Sequence, residues 1–166
     1  MNKETHYQVH DSPKAAVLQV LQKASYTNCE PVRNFFEKKF NAGQRSFIVD
    51  FANCTSVDST FLGILVRLAL NLRNSEDSGK LALVNLNGRN LETVKNLGIH
   101  RIAEISSHAV ESVGDLESLT ENGQDDIACS ETIYEAHKTL MNLNEKNLRM
   151  FCDVVSFLEH ENESLK

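Results

Sequence analysis

Residues 47–72 read FIVDFANCTSVDSTFLGILVRLALNL, and the fold turns on how this stretch is parsed. Phe47-Ile48-Val49-Asp50-Phe51 is apolar on both sides of a strand except at Asp50. Such a strand belongs inside a sheet, with neighbours on both edges. A short loop follows over 52–56. Asp58, Ser59 and Thr60 are all side chains that cap helix N-termini, because a short side-chain oxygen can accept from an otherwise unpaired backbone N–H. From Phe61 to Leu72, apolar residues leave almost no polar face. A helix of that kind packs against a sheet on one side and against a further element on the other.

Working outward, Tyr7 and Val9 alternate with polar residues, and Asp11-Ser12-Pro13-Lys14 carries turn chemistry. A β-branched and aliphatic run over 15–21 completes a hairpin. Thr27 and Glu30 have the spacing of a capping box, with Pro31 in the first turn. Val32, Phe35, Phe36 and Phe40 then share a helical face that ends at Gly43. Beyond the central stretch, Ser78-Gly79 is a turn and 80–86 a strand. Asn90 caps a short helix with Leu91, Val94 and Leu97, closed by Gly98, and 101–105 is a last strand. Strands alternating with helices from Ser46 onward predict an α/β domain with parallel pairing.

The net charge of -6 and pI near 5.5 argue against nucleic acid as a partner, since phosphate binding needs a basic face. The first ten residues hold no apolar leader. The longest apolar-rich run, 61–72, includes Arg67 and Asn71 and is too short to span a bilayer. The expectation is a soluble cytoplasmic protein without a membrane partner. Cys29, Cys54, Cys129 and Cys152 form no C-x-x-C pair, and they read as reduced small hydrophobes. His6 and His10 lack a third ligand nearby. No metal site and no cofactor is expected.

The character changes near Ser106. No Lys or Arg occurs from Ile102 to His137, whereas nine of the 23 acidic residues do. The acidic excess of the chain therefore resides there, and 107–129 reads as a solvated linker. A long amphipathic helix follows over 130–162, with Ile133, Leu140, Phe151, Val154 and Leu158 near a heptad grid and Asn144 and Asn147 interrupting it. Two outcomes stand open: the helix packs back onto its own domain, or it pairs with a second copy, where a buried Asn can set register.

The strand, loop and Asp-Ser-Thr helix start resemble the STAS domains of anti-sigma factor antagonists. The matching residues are Asp50, Val57, Asp58, Ser59, Thr60, Leu62, Gly63 and Leu65. The flanks agree in order: the hairpin, the 32–40 helix, the strand 81–86, and Val94-Lys95-Asn96-Leu97-Gly98-Ile99 before Arg101-Ile102. The resemblance covers residues 5–106. It implies a STAS-like mixed sheet packed against helices over 1–106, with the long C-terminal helix as an addition. It also implies a non-catalytic module that binds a serine-kinase anti-sigma factor. Such a module is switched off by phosphorylation at Ser59, with Thr60 as runner-up, and is restored by a serine phosphatase. Phe61 stands where the family usually has Gly. Lys23-Ala24-Ser25-Tyr26 replaces the family's Gly-Glu-Leu-Asp, a segment that contributes to partner contact there. The implied contact set is Ser25, Tyr26, Asp58, Ser59, Thr60 and Phe61. The alternative is a STAS scaffold or small-ligand sensor without phosphorylation.

Physics supports the switch independently. A helix N-terminus offers unpaired N–H groups and a positive dipole end, so phosphate on Ser59 is tolerated by the fold. It adds about -1.5 to -2 charges beside Asp58, which opposes an acidic or apolar partner surface. An exposed Phe61 would be the apolar anchor that this charge spoils. A receiver using Asp50 needs an acidic pair and a later Lys, which the sequence does not place. A hydrolase centred on Ser59 lacks a G-x-S-x-G turn and has no histidine nearby in sequence.

Overall fold

The computed structural model describes residues 5–106, 114–119 and 126–164. In chain order its elements are β1 (Tyr7–Asp11), β2 (Ala16–Val20), β3 (Lys23–Ala24), α1 (Glu30–Asn41), β4 (Ser46–Asp50), β5 (Ser56–Val57), α2 (Ser59–Asn74), β6 (Lys80–Val84), α3 (Gly88–Asn96), a 3-10 turn (Ile99–Arg101) where the sequence reading starts the last strand, β7 (Glu104–Ser106), β8 (Glu117–Ser118), α4 (Ser130–Met141) and α5 (Glu145–Ser164).

Six strands form one sheet in the order β7-β6-β4-β2-β1-β8. The strands β2, β4, β6 and β7 run parallel, and β1 is antiparallel to both β2 and β8. The strand read as internal, β4, lies between β2 and β6, with Leu18 opposite Val49 and Val49 opposite Leu83. Because side chains alternate, this register gathers Tyr7, Leu18, Val20, Phe47, Val49, Leu81 and Leu83 into one buried row. The opposite row carries Gln8, His10, Gln19, Ile48 and Ala82, which are partly buried, together with Val17 and Val84, which are buried. The mixed α/β fold therefore matches the sequence reading, and on the second face of β4 Ile48 is partly covered while Asp50 is buried.

The all-apolar helix α2 is buried around its girth, including Phe61, Leu62, Ile64, Leu65, Val66, Leu68 and Leu72. The sheet lies on one side of it and α4 on the other. At their crossing a Cβ on Gly63 would stand 2.4 Å from the Ala136 carbonyl oxygen, so the two backbones are in direct contact. Only the missing side chain at Gly63 permits this approach.

Several local expectations resolve differently. Thr27 and Glu30 form no capping box: the Thr27 hydroxyl bonds Ser25 Oγ at 2.6 Å, and Glu30 pairs with Arg33. Asn87, not Asn90, sits at the N-terminus of α3. The C-terminal region is two helices, broken at 142–144. Asn144 Oδ1 accepts from Asn147 N at 2.8 Å and so caps α5. Both asparagines also donate to the Leu97 carbonyl, at 3.2 and 2.9 Å, which fixes the α4–α5 turn to the end of α3. The polar residues thus anchor the hairpin in cis. Most of the acidic stretch 107–129 lies outside the described residues. Within it β8 pairs with the edge of β1, and 126–129 leads into α4. No described helix is long and apolar enough to cross a membrane.

Candidate functional site

Asp58 organises the start of α2. Its backbone is extended, its Oδ1 accepts from Phe61 N at 2.9 Å, and its Oδ2 accepts from Tyr26 N at 2.8 Å. Asp58 N in turn donates to Ala24 O at 3.0 Å. One carboxylate therefore ties the helix N-terminus to the loop between β3 and α1. This joins the two segments singled out in the sequence as contact regions, Ser25-Tyr26 and 58–61. The short parallel pair β3–β5 beside them, two residues long on each strand, carries no sequence signal.

Within that junction the side chains divide. Ser59 is partly buried and Tyr26 is 49% exposed. Thr60 is 3% exposed, Ser25 1% and Phe61 0%. Phe61 is not an exposed anchor: its ring stacks on Tyr7 at 6.2 Å between centroids and meets Phe51 edge-on at 6.4 Å. Ser25 is held inside its loop, its N–H donating to Asn28 Oδ1. Asn28 also accepts from the Tyr7 hydroxyl at 2.6 Å and donates to Lys23 O at 2.7 Å.

Asp50 is a structural residue of the β4 end. Its Oδ1 accepts from Ala52 N at 2.9 Å and from Asn85 Nδ2 at 2.8 Å, the geometry of a turn brace. No group of three or more His, Cys, Asp or Glu side chains suited to a metal occurs among the described residues.

The site residue that sequence reasoning missed is His137. Its Nε2 lies 2.8 Å from Ser59 Oγ, 78 residues away in the chain. Its Nδ1 lies 2.7 Å from the Ile133 carbonyl oxygen, which only accepts, so Nδ1 carries a hydrogen. In the neutral ring the Nε2 lone pair then accepts from the Ser59 hydroxyl. The ring is 8% exposed and rests edge-on against Phe151. A serine held by an oriented imidazole has the proton geometry of a nucleophile and its base. An acyl-transfer site also needs free donors for an oxyanion. Here Phe61 N is committed to Asp58 Oδ1 and Leu62 N to Asp58 O.

Beneath the junction, Tyr7 and Cys29 are buried acids. Burial, then the neighbouring Asp58 and Glu30, pushes the Cys29 thiol up from 9.0 to about 12. Burial, followed by Cys29 and Asp58, raises the Tyr7 phenol well above its usual range. Both folded-state pKa values are raised, so their stabilising contribution is complete below about pH 9. It is lost as rising pH ionises the unfolded chain first. Stability is expected to fall by about 1.4 kcal/mol per pH unit for each group past its unfolded pKa. Urea midpoints at pH 8 to 11 measure this. A midpoint flat to pH 11 would show that neither group is sealed.

A family model for the STAS domain matches residues 6–112. No curated protein matches the sequence. Among solved structures, the fold is similar to the anti-sigma factor antagonist SpoIIAA in its unphosphorylated form, at 15% identity over 62% of this chain and 89% of that chain, TM-score 0.52. It is also similar to an anti-sigma factor antagonist from Mycobacterium paratuberculosis, at 13% identity over 61% and 85%, TM-score 0.54. A third is the Bacillus cell fate determinant SpoIIAA in the phosphorylated form, at 14% identity over 61% and 91%, TM-score 0.51.

Proposed function

The chain belongs to the STAS domain family, and on that premise we propose that it is a non-catalytic cytoplasmic switch controlled by phosphorylation of Ser59. Residues 1–106 act as the switch domain, 107–129 as linker and 130–162 as an added regulatory element. The partner is a serine-kinase anti-sigma factor, which the unmodified chain binds and which phosphorylates it. A serine phosphatase reverses the step.

The observation that carries this reading is the position of Ser59 as the first residue of α2, directly after the Asp58 cap. A phosphoryl group there meets the helix dipole and adds its charge next to Asp58 at the junction with Tyr26. The fold keeps its core, and the surface at the α2 N-terminus becomes more negative. Thr60 is a poorer acceptor because it is buried.

Ser59→Ala is expected to abolish phosphoryl incorporation by the cognate kinase while the variant still binds that kinase. Phosphate-affinity electrophoresis and a pull-down read the two properties separately. Full incorporation in Ser59→Ala would eliminate Ser59 as the acceptor.

A further inference from the structure

The C-terminal helices reach the very residue on which the switch reading rests. The Ser59 hydroxyl, which must be free to attack a phosphoryl donor, donates to His137 Nε2 on α4. The imidazole is held in place from three directions. Its Nδ1–H bonds the Ile133 carbonyl, Phe151 of α5 backs the ring, and the α4 backbone at Ala136 lies against Gly63 one turn along α2. Arg67 on α2 adds an exposed pair with Glu135 at 3.3 Å, which contributes little on its own.

The approach to α4 closes the other half of the junction. Ala128 N donates to Tyr26 O at 2.7 Å, and Glu30 N donates to Asp126 O at 3.1 Å. Residues 126–128 therefore run along the loop that Asp58 ties to α2. Both contact segments expected from the sequence are engaged by the same chain's C-terminal part. A separate anchor, Asn144 and Asn147 on the Leu97 carbonyl, seats the hairpin from its turn.

We infer that the α4–α5 hairpin is an intramolecular cover over Ser59, which must lift before a kinase or partner can reach the α2 N-terminus. The inference deepens the phosphorylation reading and rests on it for its consequence, although the cover itself can be measured without any kinase. A phosphoryl group on Ser59 replaces the hydrogen that makes the bond to His137. The group also needs room that the 2.8 Å contact with His137 does not leave, so modification and cover oppose each other, and by linkage the modified chain holds α4 down less tightly by the same factor. A partner that binds the exposed site shifts the population to the lifted state by its differential affinity.

The test uses the full chain with Cys129→Ser and Cys152→Ser, which removes the two exposed thiols, and Ser59→Cys as the probe. Labelling with a maleimide is followed at position 59 by peptide mapping, which separates it from the retained Cys29 and Cys54, in the native and the urea-unfolded chain. The thiol introduced at position 59 is expected to react at least tenfold more slowly in the native chain. Gly63→Ala, whose methyl has no room against Ala136, is expected to remove most of that protection while amides of β4 and β6 stay slow to exchange. If those strands lose protection too, Ala136→Arg places the bulk on α4 instead, and the same comparison is made. Native labelling within about threefold of the unfolded rate overturns the cover, as does protection unchanged in the wedge variant. Either result leaves phosphorylation of Ser59 standing. A Ser59 that is open in the wedge variant yet inert to the kinase fails the switch reading alone.

Discussion

Phe61→Ala is expected to destabilise the protein by about 3–5 kcal/mol, the usual cost of deleting a buried aromatic ring. The ring is 0% exposed and lies between Tyr7 of β1 and Phe51 beyond β4, so its loss empties the space between the helix and two strands. Tyr7 cannot readily move in to fill that space, because its hydroxyl is fixed to Asn28 at 2.6 Å. Aromatic pairing adds about 0.5–1.5 kcal/mol to the burial of such a ring. Urea unfolding should show the loss as a lower midpoint with an unchanged slope. Phe61→Leu should cost appreciably less, since it retains much of the volume. A loss below about 1 kcal/mol for the alanine variant would mean that Phe61 does not fill the core.

The direction of Phe61 was latent in the sequence. Successive helical residues turn by about 100°, so positions two apart lie on nearly opposite sides. If Ser59 faces outward, Phe61 faces in. Proximity in sequence suggested a shared surface, whereas helical phase separates the two. The same phase logic made the bulk of the fold legible. The strand over 47–51 and the apolar helix behind it are long periodic signals, and their hydrophobicity decides where they go. The closure of the first helix at Gly43 and of the third at Gly98, with φ of 105° and 82°, was legible because glycine favours that backbone region.

What was not legible is either too short or too distant. The pairs β3–β5 and β1–β8 involve two-residue strands that have no period to detect. Caps failed on register: the N-cap positions fall at Cys29 for α1 and Asn87 for α3, and neither side chain makes a cap bond. Thr27 bonds Ser25 instead of a helix N–H, and Asn87 supplants Asn90. The break at 142–144 shows in the sequence as Asn144 interrupting the heptad grid, which a heptad reading takes for a polar position within one continuous helix. His137 is the instructive omission. On an amphipathic helix a histidine beside Ala136 and Leu140 reads as part of the packed face. Nothing local connects it to a serine on another helix, and only the close crossing at Gly63 brings them together. Gly63 itself belongs to the motif, and its packing partner lies outside that motif.

The second large effect is expected at Asp58. Asp58→Ala removes the α2 cap, worth about 1 kcal/mol in typical hosts. It also removes the charge-assisted acceptor for Tyr26 N, so a total loss of about 2 kcal/mol is expected. Asp58→Asn keeps one carbonyl oxygen for two donors that point from different segments, Phe61 N and Tyr26 N, and should recover roughly half. The local consequence is more diagnostic than the global one. Without Asp58 the loop between β3 and α1 loses its tie to α2, so the Tyr26 and Phe61 amides should exchange faster by more than the change in global stability accounts for. Ser59 remains in Asp58→Ala, but its helix start frays, and phosphoryl incorporation should drop although the acceptor hydroxyl is intact. Hydrogen exchange resolved to single amides, with urea midpoints on the same samples, separates these effects. Unchanged protection at both amides would show that the carboxylate does not hold the junction together, and Ser59 would then owe its placement to the contact with α4 alone.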